Sequence, residues 1–208
     1  MPAYFARTAG NFGEFQVHDA QYDAQSRLLS FGTPAEIERA SAGPAGCSPG
    51  VGSLRLDDNF LPVMLGIFNH QDQFRVDVSW LERIGTFALP LCLASPGQHA
   101  APLSDLDEVE VSLLDNETIT RVNQEFLQHE GPTDVITFDH GEILIGVEVA
   151  EANAETFGKS LNDELALCIV HGLLHLNGWE DKDPSEATEM AILQEKILAG
   201  SIRLSDQE

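Results

Sequence analysis

The chain of 208 residues is 43% apolar and 22% charged, which is ordinary for a globular protein with one proper core. Its 34 acidic residues against 11 basic ones give a net charge of −23. Nucleic-acid binders usually carry basic patches, whereas this composition repels polyanions on average, so we expect no DNA partner.

The sequence also argues against membrane and disulfide-rich classes. No apolar run approaches the ~20 residues of a spanning helix, and the N-terminus lacks a basic region followed by an apolar one. Its three cysteines, Cys47, Cys92 and Cys168, lie far apart without CxxC spacing, which favours neither disulfides nor a cysteine metal site. We therefore expect a protein of the reducing cytoplasm with no membrane partner.

The first third of the chain differs from the rest. Residues 1–63 lack sustained hydrophobic periodicity, and the small residues at 40–53 are not expected to pack. The prediction is a disordered extension over residues 1–63 followed by a domain over residues 64–208. Whether the extension is genuine or Met64 is the true start stays open.

Alternating and helical patterns then predict the elements of the domain. Residues 65–70 indicate a short strand, and residues 78–93 an amphipathic helix strained by Pro90. Residues 109–113 alternate in polarity, which predicts a strand with one buried face. Asn116 is the expected cap of a helix with three side chains turned inward: Ile119, Val122 and Phe126.

The second half of the domain is predicted in the same way. Residues 135–138 and 142–147 indicate two strands joined by a hairpin turn at Asp139-His140-Gly141. Ser160 should start a helix, and the capping box at residues 183–186 should start a last helix ending near Leu198. Strands and helices in this order predict an α+β domain, a small mixed sheet packed with helices.

A metal site is the strongest chemical signal in the sequence. His171 and His175 are four residues apart, so one face of a helix presents both imidazoles. Gly178 allows the chain to reverse at the helix end, which could bring Asp181 back as a third ligand. Two histidines and one carboxylate with an open position suit catalytic zinc, and they also suit iron(II).

The alternative for the histidine pair is simple packing, which is more common at this spacing. The surrounding residues 165–176 are apolar nearly all round, which marks a buried helix. Unpaired imidazoles would be costly there, whereas a shared cation and further hydrogen-bond partners would satisfy them.

Three sequence blocks resemble the YbeY family, bacterial metal-dependent endoribonucleases of ribosomal RNA maturation. The blocks are the His-Gly-Leu-Leu-His-Leu-Asn-Gly run with its following acids (171–181), Gly-Pro-Thr-Asp-Val-Ile-Thr-Phe (131–138) and the strand segment 109–115. They occur in the family's order, and the resemblance covers residues 64–205. It implies a metal cleft between sheet and helices, single-stranded 16S ribosomal RNA as substrate, and the small ribosomal subunit or its proteins as partners.

Two residues depart from the family pattern. The usual third ligand is His, whereas here it is Asp181, which lowers the charge of the metal complex by one unit and weakens its Lewis acidity. The family commonly carries an Arg where this chain has Leu127. His129 is the nearby residue that could replace that cation, and it could equally be a solvated residue at a helix end.

The general base is not evident from the sequence. In His-Glu-x-x-His metalloproteases the Glu beside the first His is the base, and here that position is Gly172, so peptidase activity is not expected. Glu180 and Asp134 are the nearest carboxylates by sequence.

The sequence is therefore compatible with two functions. One is a metal-dependent endoribonuclease of ribosomal RNA maturation and ribosome quality control. The other is a metal-stabilised ribosome assembly factor with little nuclease activity, which the missing Arg and the acidity favour.

Overall fold

The computed structural model describes residues 3–6 and 63–207. Five strands form one mixed sheet: Ala3–Ala6 (β1), Met64–Asn69 (β2), Glu108–Leu114 (β3), Val135–Phe138 (β4) and Glu142–Gly146 (β5). Their order is β1-β4-β5-β3-β2, in which β2, β3 and β5 are parallel and the β1–β4 and β4–β5 pairs are antiparallel. The predicted α+β class is confirmed.

Helices cover both faces of this sheet. They are Val78–Leu93 (α1), Asn116–Val122 (α2), Val147–Phe157 (α3), Leu161–Leu176 (α4) and Pro184–Ser205 (α5), with a 3-10 turn at Pro102–Asp105 and a π-turn at Asn123–Leu127. Helix α4 contacts β4 and β5 and packs against α1, α3 and α5. Every α4 residue from Glu164 to Leu176 is buried, as its apolar sequence predicted.

The sheet separates two apolar clusters of unequal size. The larger one lies on the α4 side and includes Val135 and Ile143 from the two central antiparallel strands. The smaller one contains Ile119 of α2 with Ile136 and Phe138 of β4, and Leu127 packs against it. Alternation along β4 thus assigns consecutive residues to opposite faces.

Some local predictions are wrong. Asp115, rather than Asn116, caps α2, because its Oδ1 accepts a hydrogen bond from the Thr118 amide at 2.7 Å. Phe126, expected to point inward, is 55% exposed. It lies in the π-turn, whose wider winding shifts side chains out of the 3.6-residue phase.

Two helices differ from the sequence prediction. Helix α3 was not predicted, and only its first residue, Val147, was included in the predicted strand 142–147, because it continues the apolar run of β5. Helix α5 continues to Ser205 instead of ending near Leu198. The predicted helix starts at Ser160 and Asp183 are confirmed, since both side chains accept hydrogen bonds from amides of their first turns.

Most of the predicted extension lies outside the described residues. Within residues 1–63, Ala3–Ala6 pairs with β4 at the sheet edge, and Val63 is buried in the larger cluster. The division between residues 63 and 64 stays a prediction. Across the part of the chain that the structure describes, no helix has both the length and the apolar character needed to cross a bilayer.

Gly172 brings α4 close to the sheet. A Cβ at this position would lie 2.8 Å from Cδ1 and Cγ2 of Ile143. We expect Gly172→Ala to lower the free energy of unfolding by about 1–2 kcal/mol, because overpacking exceeds the gain in helix propensity. Urea unfolding measures the change.

Gly200 in α5 provides a matched control. A Cβ there would meet Leu91 Cδ1 at an ordinary 3.6 Å. Gly200→Ala should therefore stabilise the protein by roughly 0.5–1 kcal/mol. Equal changes in the free energy of unfolding for Gly172→Ala and Gly200→Ala would contradict the packing argument.

Candidate metal centre

Two imidazole rings of α4 face each other next to a carboxylate. The Nε2 atoms of His171 and His175 are 2.9 Å apart, and Asp181 Oδ2 lies 4.0 Å from His171 Nε2. One ligand atom from each of the three residues lies within 4.8 Å of the others. Both histidines are buried and Asp181 is partly buried. The structure thus brings together the three residues that the sequence indicated.

Hydrogen bonds at the far side of each ring set its protonation. His171 Nδ1 donates to the side-chain oxygen of Gln194 at 2.9 Å, and His175 Nδ1 donates to the Trp179 carbonyl at 2.9 Å. In the neutral rings, both Nε2 atoms then present lone pairs to each other. With the ring protons on Nδ1, the two Nε2 atoms and the Asp181 carboxylate are metal-ligand atoms close to one another, so the donor set fits a divalent metal ion.

The loop after α4 carries the third member of the cluster. Gly178 has φ +85°, the left-handed conformation predicted for the helix end. The Gly97 amide donates to the Asn177 carbonyl at 2.8 Å, and the His99 amide donates to the Gly178 carbonyl at 3.1 Å. A Cβ on Gly97 would lie 2.0 Å from the Gly178 carbonyl oxygen, so only glycine permits this approach of two loops.

The start of α5 holds the same loop from its other side. The Glu180 amide donates to Glu186 Oε1 at 3.0 Å, and His99 Nε2 contacts Glu186 Oε2 at 3.2 Å. These contacts, the Glu180 amide above all, lower the pKa of the Glu186 carboxyl. Glu186 therefore ties the residue before Asp181 to α5, instead of completing the capping box with Asp183.

A cleft of about 510 Å³ reaches the cluster at His175. Its polar lining comprises His175, His99, Thr137 and the carboxylates of Asp105, Asp139 and Glu180. Three carboxylates make the cleft acidic, in keeping with the acidic sequence. An anionic ligand would need a cation or neutral hydrogen-bond donors to bind here.

The two predicted general-base residues lie in different surroundings. Glu180 lines the cleft, and its Oε2 lies 3.5 Å from Lys182 Nζ in a partly exposed ion pair. Asp134 is 1% exposed and does not line the cleft. Its Oδ1 accepts from the Val135 amide at 3.0 Å, and Asn153 Nδ2 contacts its Oδ2 at 3.4 Å, so its contacts support the turn into β4.

Sequence reasoning missed Gln194, His99 and Thr137. Gln194 had a usable signal, because it repeats in phase with the buried Met190, Ile197 and Leu198 of α5. A polar residue on such a face needs a buried partner, and here the partner is a predicted ligand. His99 and Thr137 reach the cleft through contacts distant in sequence, which no local pattern reveals.

Comparisons with known proteins agree with the three blocks. The family model described as "Endoribonuclease YbeY" matches residues 67–201. A Bacteroides thetaiotaomicron protein of that name is 40% identical over 101 residues, covering 45% of this chain and 74% of the relative. A Leifsonia xyli protein of that name is 29% identical over 156 residues, covering 67% of this chain and 96% of the relative.

One solved structure is also similar. It is the solution structure of a Thermotoga maritima protein, 25% identical, with a TM-score of 0.48 over 69% of this chain and 93% of that chain. The family match spans more than half of the present sequence and contains the His171, His175 and Asp181 cluster. The chain therefore belongs to the YbeY family.

Proposed function

We propose that this protein is a metal-dependent endoribonuclease that cleaves single-stranded RNA during ribosomal RNA maturation. The observation that carries the proposal is the pair of facing Nε2 atoms beside Asp181, at an open cleft. The names of the family relatives support the RNA substrate. Cleavage of ribosomal RNA during its maturation would place the protein in the cytoplasm. The small ribosomal subunit would be its partner, and ribosome quality control would be a further role.

His171, His175 and Asp181 would hold the ion, and zinc is the ion we propose. Two nitrogens and one carboxylate oxygen are zinc ligands, although iron(II) accepts the same set. When bound, the ion would act as a Lewis acid on the phosphodiester. Gln194 and the Trp179 carbonyl orient the two rings for this task by holding their Nδ1 protons.

Glu180 is the proposed general base. It lies in the cleft next to Asp181, and its carboxylate could accept a proton from a water molecule within that space. The Glu position of His-Glu-x-x-His peptidases is closed here, because Gly172 lies against Ile143 and leaves no room for a side chain. Asp134 is a weaker choice, since its carboxylate is buried and already accepts a hydrogen bond from the Val135 amide.

The charge of the cleft limits how RNA would bind. Asp105, Asp139 and Glu180 repel phosphates, and Leu127 provides no cation where the family usually has Arg. His129, the residue that could replace it, is exposed. The bound ion and neutral donors would therefore supply most of the attraction for the scissile phosphate.

That acidity is the observation that favours a second candidate function. A metal-stabilised assembly factor of the small ribosomal subunit needs no phosphate in its cleft. Basic ribosomal proteins would instead complement a net charge of −23.

A cleavage assay separates the two functions. We expect zinc-loaded protein to cut a single-stranded RNA oligonucleotide, and chelated protein to lose this activity, because the ion supplies the Lewis acid. Denaturing gels resolve the fragments, and a duplex of the same sequence is the substrate control. Equal, background cleavage with and without metal, in a protein that still binds ribosomal subunits, would favour the assembly factor.

A further inference from the structure

The side-chain hydroxyl of Thr137 is buried at the cleft without a partner. Thr137 is 2% exposed, and its Oγ1 has no hydrogen bond within the described residues. The residue nevertheless lines the cleft, as His175 does. Buried hydroxyls in folded proteins nearly always have a protein or ligand partner, so this exception requires an explanation.

Strand geometry places the Thr137 side chain on the sheet face that α4 covers. Side chains alternate along β4, so Thr137 shares the face of Val135, whereas Ile136 and Phe138 pack in the smaller cluster on the other face. Its neighbour on β5 is Ile143, the residue against which Gly172 of α4 packs. The hydroxyl therefore lies on the side of the sheet that carries the two histidines.

The chemistry of the cleft makes a neutral donor useful there. A phosphodiester has oxygens that accept hydrogen bonds and no donor of its own. The carboxylates of Asp105, Asp139 and Glu180 only accept, and the Nε2 of His99 is in contact with Glu186. The Thr137 hydroxyl is a donor that adds no charge, and because its Oγ1 is buried, a small movement of the cleft wall would bring it into contact with a phosphate oxygen.

We propose that Thr137 is a substrate-binding residue whose hydroxyl donates a hydrogen bond to a phosphodiester oxygen of RNA held in the cleft. This inference rests on the proposed nuclease function. It explains why this acidic site contains a buried hydroxyl without a hydrogen-bond partner among the described residues. The contact with substrate would complete the hydrogen bonding that the free protein lacks.

The test compares Thr137→Val with Thr137→Ser. Valine has nearly the shape of threonine without the hydroxyl, whereas serine keeps the hydroxyl. We expect Thr137→Val to bind metal like the parent and to unfold at the same or a higher urea concentration. Its KM for single-stranded RNA and its dissociation constant for inorganic phosphate, measured by ³¹P NMR on zinc-loaded protein, should rise about 10- to 100-fold. Thr137→Ser should stay within roughly threefold of the parent.

Each outcome decides the inference separately from the proposed function. Parent-like phosphate binding and cleavage by Thr137→Val would overturn the inference and leave the nuclease intact. Weakened phosphate binding in a protein whose parent cuts no RNA would support the hydroxyl contact and remove the nuclease function. A parent that binds no phosphate would overturn the contact. If Thr137→Val fails to fold, Thr137→Ala replaces it in the same comparison.

Discussion

Replacing His175 with alanine is expected to reduce the metal content of the purified protein from about one ion per chain to background. The two remaining ligands, His171 and Asp181, cannot hold an ion tightly. The ring of His175 also provides one of the two facing Nε2 atoms, 2.9 Å from that of His171. Inductively coupled plasma mass spectrometry after dialysis measures the metal content.

His140 provides the control for this experiment. Its ring lies at the exposed hairpin turn and pairs with Glu142 at 3.3 Å, outside the cluster. His140→Ala should therefore retain the full metal content. Circular dichroism should show that both variants keep their helices, because α4 is fixed by apolar packing. Full metal occupancy in His175→Ala would refute the site.

The second large effect concerns the two departures from the family pattern. Asp181→His would restore the usual third ligand and remove one negative charge beside the metal. Leu127→Arg would add a cation on the sheet face away from the cleft lining, where it could bind a phosphate of the RNA outside the cleft through two hydrogen bonds. We expect the double variant to cleave single-stranded RNA about tenfold faster than the parent at equal metal occupancy, since one charged contact to phosphate has that effect. Gel-resolved initial rates measure the change.

The two single variants separate the ligand effect from the cation effect. Leu127 packs against the smaller cluster on the sheet face opposite Thr137, so its replacement also removes apolar contact and requires a stability measurement. Asp206→His, at the end of α5, makes the same charge change outside the cleft and should leave the rate unchanged. The gain in the double variant should shrink as salt rises, because screening weakens phosphate contacts.

The opposite result would identify the other function. If parent and double variant both cleave RNA at background rates, while each binds metal and ribosomal subunits, the protein is better described as an assembly factor. In that case the acidic cleft serves contacts with basic proteins.

Local signals in the sequence were sufficient to predict that the three candidate metal ligands lie close together. The four-residue spacing of His171 and His175, the caps at Ser160 and Asp183, and the left-handed Gly178 each depend on nearby residues alone. Chain reversal at Gly178 was therefore enough to place Asp181 near the rings. The hairpin at residues 139–141 was predictable for the same reason, and Gly141 there has φ +100°.

Features that depend on distant contacts were not predictable. The cleft wall comes from the loop at His99 and the 3-10 turn at Pro102–Asp105, from Thr137 of β4, and from the end of α4 with the loop after it, which are separated by long stretches of chain. The outward orientation of Phe126 follows from a π-turn, and no composition rule signals such a change in winding. Helix α3 was missed because strand and helix share apolar residues at their junction.

Because α4 is buried, selection for the function of its side chains and selection for core packing act on the same helix, whereas in most enzymes they act on different residues. Catalytic groups usually project from surface loops, which can vary while the scaffold stays constant. Here the helix that carries both imidazoles is also the centre of the hydrophobic interior, with Gly172 against Ile143 on one side and α1, α3 and α5 on the others. A conservative change such as Ile143→Leu would shift the rings as well as the packing. Mutational tolerance in this protein should therefore be lowest in the apolar core behind the histidines, and higher in the loops around the cleft.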